Sequence, residues 1–60
     1  MRLVDEAGAE AVIGNTYKDF RGDDHFLKGG TPPRHSGSTG RVHTDQGEFY
    51  PSVIGLKWVD

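Results

Sequence analysis

Residues 25–44 hold all three histidines of the chain, together with Lys28, Arg34 and Arg41, and contain no Asp or Glu. A zinc site would need three or four His, Cys, Asp or Glu ligands brought close together. His25, His35 and His43 are ten and eight residues apart, with no close pair, and cysteine is absent. Asp23, Asp24 and His25 are contiguous, but neighbours on a strand point to opposite faces. They therefore read as a solvated turn followed by ordinary surface histidines, and no metal site is expected. Nucleophilic catalysis needs a hydroxyl beside a base that is itself oriented by a third group. His35-Ser36 and Ser38-Thr39 offer hydroxyls near a base, and Asp24 with Glu48 offers two carboxylates, but no spacing joins either set to a third member.

Ser36-Gly37-Ser38-Thr39-Gly40-Arg41 has a different kind of chemistry. Two glycines permit a concave run of backbone N–H groups closed by an arginine, the makings of an anion cradle, although such a stretch more commonly serves as a flexible glycine-serine connection. The P-loop spacing is absent, and a strand is expected to follow rather than a helix. Arg21-Gly22-Asp23 reads as a hairpin turn.

The charge pattern narrows the partner class. Net charge is −2. By segment it is −3 over residues 1–24 (Arg2, Lys18 and Arg21 against Asp5, Glu6, Glu10, Asp19, Asp23 and Asp24). It is +3 over residues 25–44 and −2 over the remainder (Lys57 against Asp45, Glu48 and Asp60). The middle is a basic island in an acidic chain, a pattern that chance alone also produces, and the overall charge repels a long polyanion. A chain of 60 residues buries only about 60% of its unfolded surface. With no disulfide available, oligomerisation is one route to further stability. No apolar run long enough for a signal peptide or a membrane span is present, so a cytoplasmic location is expected.

The elements that position these residues are short. Nine glycines and three prolines argue against a helical bundle. Arg2-Leu3-Val4 reads as a strand, Asp5–Gly8 as a turn and Glu10–Ile13 as a strand pairing back. Gly14-Asn15 turns the chain, Thr16–Phe20 is extended, Arg21–Asp24 turns, and His25–Lys28 is a strand ended by Gly29-Gly30. Thr31–Thr39, with two prolines and small polar residues, must be an exposed loop. Gly40–Thr44 and Glu48–Tyr50 form a hairpin about Asp45-Gln46-Gly47. Pro51–Gly55 is a single helical or 3₁₀ turn, and Leu56–Val59 closes the chain. The expected core is Leu3, Val12, Tyr17, Phe26, Val42, Phe49, Val53, Leu56 and Trp58. Five or six such strands are expected to curl into a small, partly open barrel with little room for a pocket.

In its order of elements, and in Ile13-Gly14-Asn15-Thr16-Tyr17, Thr39-Gly40-Arg41-Val42 and Tyr50-Pro51-Ser52-Val53-Ile54, the chain resembles SH3-like barrels. The resemblance implies an all-β barrel with a 3₁₀ turn before the last strand. The residues after Leu3 lack the aromatic cluster of the signalling SH3 domains, so proline-rich peptide binding is not implied. Asp19-Phe20-Arg21-Gly22, Pro33–Val42 and Glu48–Ile54 are also similar to small proteins encoded by tailed bacteriophages. That likeness implies an accessory, anti-defence or host-interaction role. The sequence reading is thus a single non-enzymatic domain, residues 1–60, with no cofactor, that binds a protein. Nucleic-acid binding and a role in virion assembly remain alternatives, as does a homodimer or higher oligomer. The expected contact residues are Lys28, Arg34, His35, Arg41 and Tyr50.

Overall fold

The structure, a computed structural model, describes residues 1–60. Its elements are β1 (Arg2–Asp5), β2 (Thr16–Lys18), β3 (Asp24–Thr31), β4 (Arg41–Thr44), β5 (Gly47–Phe49), a 3₁₀ turn (Pro51–Ile54) and β6 (Leu56–Val59). Pro51 opens the 3₁₀ turn, where its fixed φ fits and its missing N–H costs nothing. Gly55 ends the turn in the left-handed region, at φ 73°. The hairpin between β4 and β5 turns on Asp45-Gln46, with Gly47 at φ 123°.

The expected SH3-like, partly open barrel does not form. β1 pairs only with β6, and β2, β3, β4 and β5 form a separate four-stranded antiparallel sheet in that order. No ladder joins the two sheets. On one side, the segment expected to be a strand over Glu10–Ile13 gives a single bridge, Val4 to Glu10, and one further bond from the Ala11 N–H to the Leu3 carbonyl at 2.8 Å. The chain then leaves β1, with the Val12 N–H held by the Tyr17 hydroxyl at 2.9 Å and the Gly14 N–H by the Leu27 carbonyl at 2.8 Å. On the other side, β6 meets the larger sheet through a side chain. The Trp58 indole N–H donates to the Arg41 carbonyl at 3.3 Å.

That indole explains why Gly29-Gly30 continue β3 instead of ending it. A Cβ on Gly30 would lie 2.8 Å from the indole Cζ2, so the absence of a side chain is what lets the ring lie against the strand. The register of β3 against β4 shifts between Leu27 and Gly29, which leaves Lys28 as the extra residue of a bulge.

Between the two sheets and the 3₁₀ turn, Leu27, Val42, Ile54 and Leu56 form the buried cluster, with Leu3, Ala11, Tyr17, Phe49 and Val53 packed against it. Val4 is also buried. Two expected core members are on the surface: Val12 is 51% exposed and Phe26 is 45% exposed. Trp58 is half-buried, lying against glycines rather than inside the cluster. On β3 the inward face is His25 and Leu27, so Phe26 necessarily points out.

This register makes a sharp prediction. Leu27→Ala should destabilise the domain by about 2–5 kcal/mol, as for other buried leucines, whereas Phe26→Ala should cost less, because Phe26 is 45% exposed and leaves no enclosed cavity. Urea unfolding followed by circular dichroism measures both. The reverse order would place the wrong face of β3 inside.

Candidate functional site

The loop between β3 and β4 begins and ends at a paired neck, Thr31 opposite Arg41. Residues 32–40 therefore project from a fixed base. Gly40 at that neck takes φ 71°, and a Cβ there would lie 2.7 Å from both the Thr31 carbonyl oxygen and the indole Cδ1 of Trp58. Only glycine meets both demands. Inside the loop, the Ser38 N–H donates to the His35 carbonyl at 3.2 Å and the Gly40 N–H to Ser38 Oγ at 3.3 Å. His35 Nδ1 sits 3.1 Å from the Ser36 carbonyl.

The loop wraps an open surface concavity of about 490 Å³ lined by ten residues, among them Arg34, His35, Ser38, Arg41 and Tyr50. This exceeds the space expected from the sequence. No carboxylate lines it. The Arg41 guanidinium lies over the Tyr50 ring, with Cζ 4.3 Å from the ring centroid. Such a stack holds the cation through the ring face and leaves its in-plane N–H donors free.

Four of the five residues expected to contact a partner, Arg34, His35, Arg41 and Tyr50, thus border one concavity. Lys28 does not: it is exposed at the bulge of β3, outside this lining. His43 is also elsewhere, between Thr31 Oγ1 at 2.9 Å from its Nε2 and Glu48 Oε2 at 4.0 Å from its Nδ1.

A second cluster was not anticipated. His25, read from the sequence as a surface residue, is 1% exposed. Its Nε2 donates to Asp19 Oδ2 at 2.9 Å, and its Nδ1 lies 3.2 Å from Thr44 Oγ1. The other Asp19 oxygen accepts the N–H groups of Arg21 and Asp23 at 2.8 and 3.0 Å. The His25 ring meets Phe49 edge-on, with centroids 4.9 Å apart. Carboxylate, imidazole and hydroxyl in line have the order of a nucleophilic triad. Here, however, the Thr44 hydroxyl is buried, and it also accepts from the Gln46 N–H at 3.1 Å and donates to the Gly47 carbonyl at 3.3 Å. None of the surface concavities is lined by Asp19, His25 or Thr44. The cluster ties the β2–β3 turn to the β4–β5 hairpin. The sequence signal that could have found it is the alternation itself: if Leu27 faces inward, so does His25.

Comparison with models of known protein families, with curated proteins and with solved structures returned no match for this chain.

The His25 hydrogen bond, aided by the two backbone N–H groups, outweighs the opposing effect of burial and holds the Asp19 carboxyl at about 2, below its ordinary 3.8. A carboxylate with a depressed pKa stabilises the fold at pH above its unfolded value, and that contribution disappears as pH falls through its folded value. The contribution of Asp19 should therefore be complete above about pH 4 and vanish toward pH 2. Asp19→Asn should melt at lower temperature than the wild type at pH 7, and the two melting curves should converge toward pH 2. A constant separation across that range would show that the ionised carboxylate is not what stabilises the turn.

Proposed function

We propose that this protein is a non-catalytic binding module whose cationic concavity, bordered by Arg34, His35, Arg41 and Tyr50, receives an anionic segment of a protein partner. The observation that carries this reading is the complete absence of carboxylates from the lining, in a chain with nine of them. An internal ion pair would consume the guanidiniums. Here Arg41 is held by an aromatic face and Arg34 has no carboxylate partner, so both remain available. Arginine and tyrosine are also the side chains that dominate binding energy where they sit in a formed depression.

Nucleic acid is the second reading, favoured by the same cations and by the half-exposed Tyr50 ring, which could stack on a base. Against it, residues outside the 25–44 stretch sum to −5, that is −3 and −2. Those carboxylates oppose a long polyanion that follows the surface beyond the concavity.

Arg34→Glu tests the proposal. The side chain is exposed on the loop, so the circular dichroism spectrum and melting temperature should match the wild type. A partner protein recovered by affinity capture with the wild-type chain should be lost with the variant. Recovery of the same partner by both forms would move the contact surface elsewhere. Retention of the wild type on an oligonucleotide column at physiological salt would favour the second reading.

A further inference from the structure

We infer that the group recognised by the concavity is a phosphate monoester, carried as a phosphorylated side chain on the protein partner. The inference rests on the binding role proposed above and specifies its ligand chemistry. Three features separate this site from one built for a carboxylate. The first is charge: two guanidiniums border one depression, with no carboxylate among its lining. A single carboxylate is satisfied by one bidentate arginine, whereas a phosphorylated side chain carries a charge of about −1.5 to −2 at neutral pH and three strong acceptor oxygens. The second is the supply of neutral donors. Within the loop, the N–H groups of Ser36, Gly37 and Thr39 donate to no acceptor in the protein, while those of Ser38 and Gly40 are used internally. Gly37, at φ 87°, sits among these free donors, and backbone of this kind forms the concave nests that hold anions. The Ser38 and Thr39 side chains border the same space.

The third feature is preorganisation. Arg41 is constrained at both ends, since its carbonyl accepts the Trp58 indole N–H at 3.3 Å and its guanidinium rests on Tyr50. An arginine already ordered in this way loses less rotamer freedom when it grips an oxyanion. The concavity, about 490 Å³, is also larger than a lone inorganic ion needs. The remaining room, bordered by Pro32 and Tyr50, suits the chain that bears the phosphate. A diester backbone fits less well. Its charges repeat at about 1.7 Å along a duplex axis, and the basic residues here converge on one spot.

The test is a titration of the ¹⁵N-labelled full chain with three probes: a Gly-phosphoserine-Gly peptide blocked at both termini, the same peptide with glutamate in place of phosphoserine, and a 12-nucleotide single-stranded DNA. The phosphopeptide should bind saturably and shift the amides of Ser36, Gly37 and Thr39, at least tenfold more tightly than the glutamate peptide. Arg34→Gln and Arg41→Gln should each weaken it at least tenfold. Lys28→Gln removes the same charge outside the concavity and should leave the affinity within twofold. The Arg34 variant keeps the test decisive if Arg41→Gln perturbs the neck. Equal binding of the phosphate and glutamate peptides would overturn the phosphate assignment and leave the anion-binding role standing. Failure of both peptides would remove both. Binding of the DNA alone would assign the concavity to nucleic acid. A Lys28→Gln loss equal to that of Arg34→Gln would reduce the effect to bulk charge.

Discussion

A histidine occupies a position at the centre of the larger sheet where a hydrophobe would ordinarily sit, and the arrangement of the whole chain follows from satisfying it. Six apolar residues are buried: Val4, Leu27, Val42, Pro51, Ile54 and Leu56. The interior is completed by His25, Asp19 and Thr44, and no buried side-chain polar atom is left without a partner. A half-satisfied network of this kind is worse than an apolar core, because each unpaired group carries its full desolvation cost. Satisfying it fixes where the β2–β3 turn and the β4–β5 hairpin must lie. Those two constraints fix the pairing of β3 and β4 at the Leu27–Thr44 end, and the Lys28 bulge offsets it before the neck at Thr31 and Arg41.

The fold and the site are therefore connected through β4. Val42 and Thr44 point inward, to the apolar cluster and the polar chain respectively, while Arg41 at the start of the strand is exposed. The same strand accepts the indole hydrogen bond that stands in for a ladder to β6. The two-sheet arrangement leaves the loop neck braced by a ring instead of by a further strand.

Most of the element order was legible in the sequence, because turns announce themselves chemically. Pro51 and Gly55 bracket the 3₁₀ turn, Gly47 marks the β4–β5 hairpin, and the two prolines after Thr31 mark the long loop. What misled was weighting by side-chain size. Phe26 looked like a better core residue than Leu27 or His25, but period-two alternation makes that a single choice, and the buried partners of His25 lie at Asp19 and Thr44, six and nineteen residues away. Gly29-Gly30 looked like a strand terminus because the residue that needs the space, Trp58, is at the far end of the chain. The barrel expectation failed for the same reason: a local pattern reports strands, whereas closure depends on which distant edges meet. The cationic loop was visible as charge, and its grouping of Arg34, His35, Arg41 and Tyr50 was visible only once the neck was paired. Lys28 fell out of that group because a one-residue bulge cannot be read from composition.

The protein has one tryptophan, and its indole lies against Gly30 and Gly40 beneath the loop neck, hydrogen-bonded to the carbonyl of Arg41. Tryptophan emission from this chain thus originates at a single known spot, at the neck of the loop that borders the depression. Any occupant that draws Arg41 or the neck even slightly changes the polarity and collisional environment of the fluorophore. The molecule accordingly carries its own optical gauge of loop occupancy, and ligands can be surveyed on the unlabelled wild-type chain without attaching a dye to the surface they would touch.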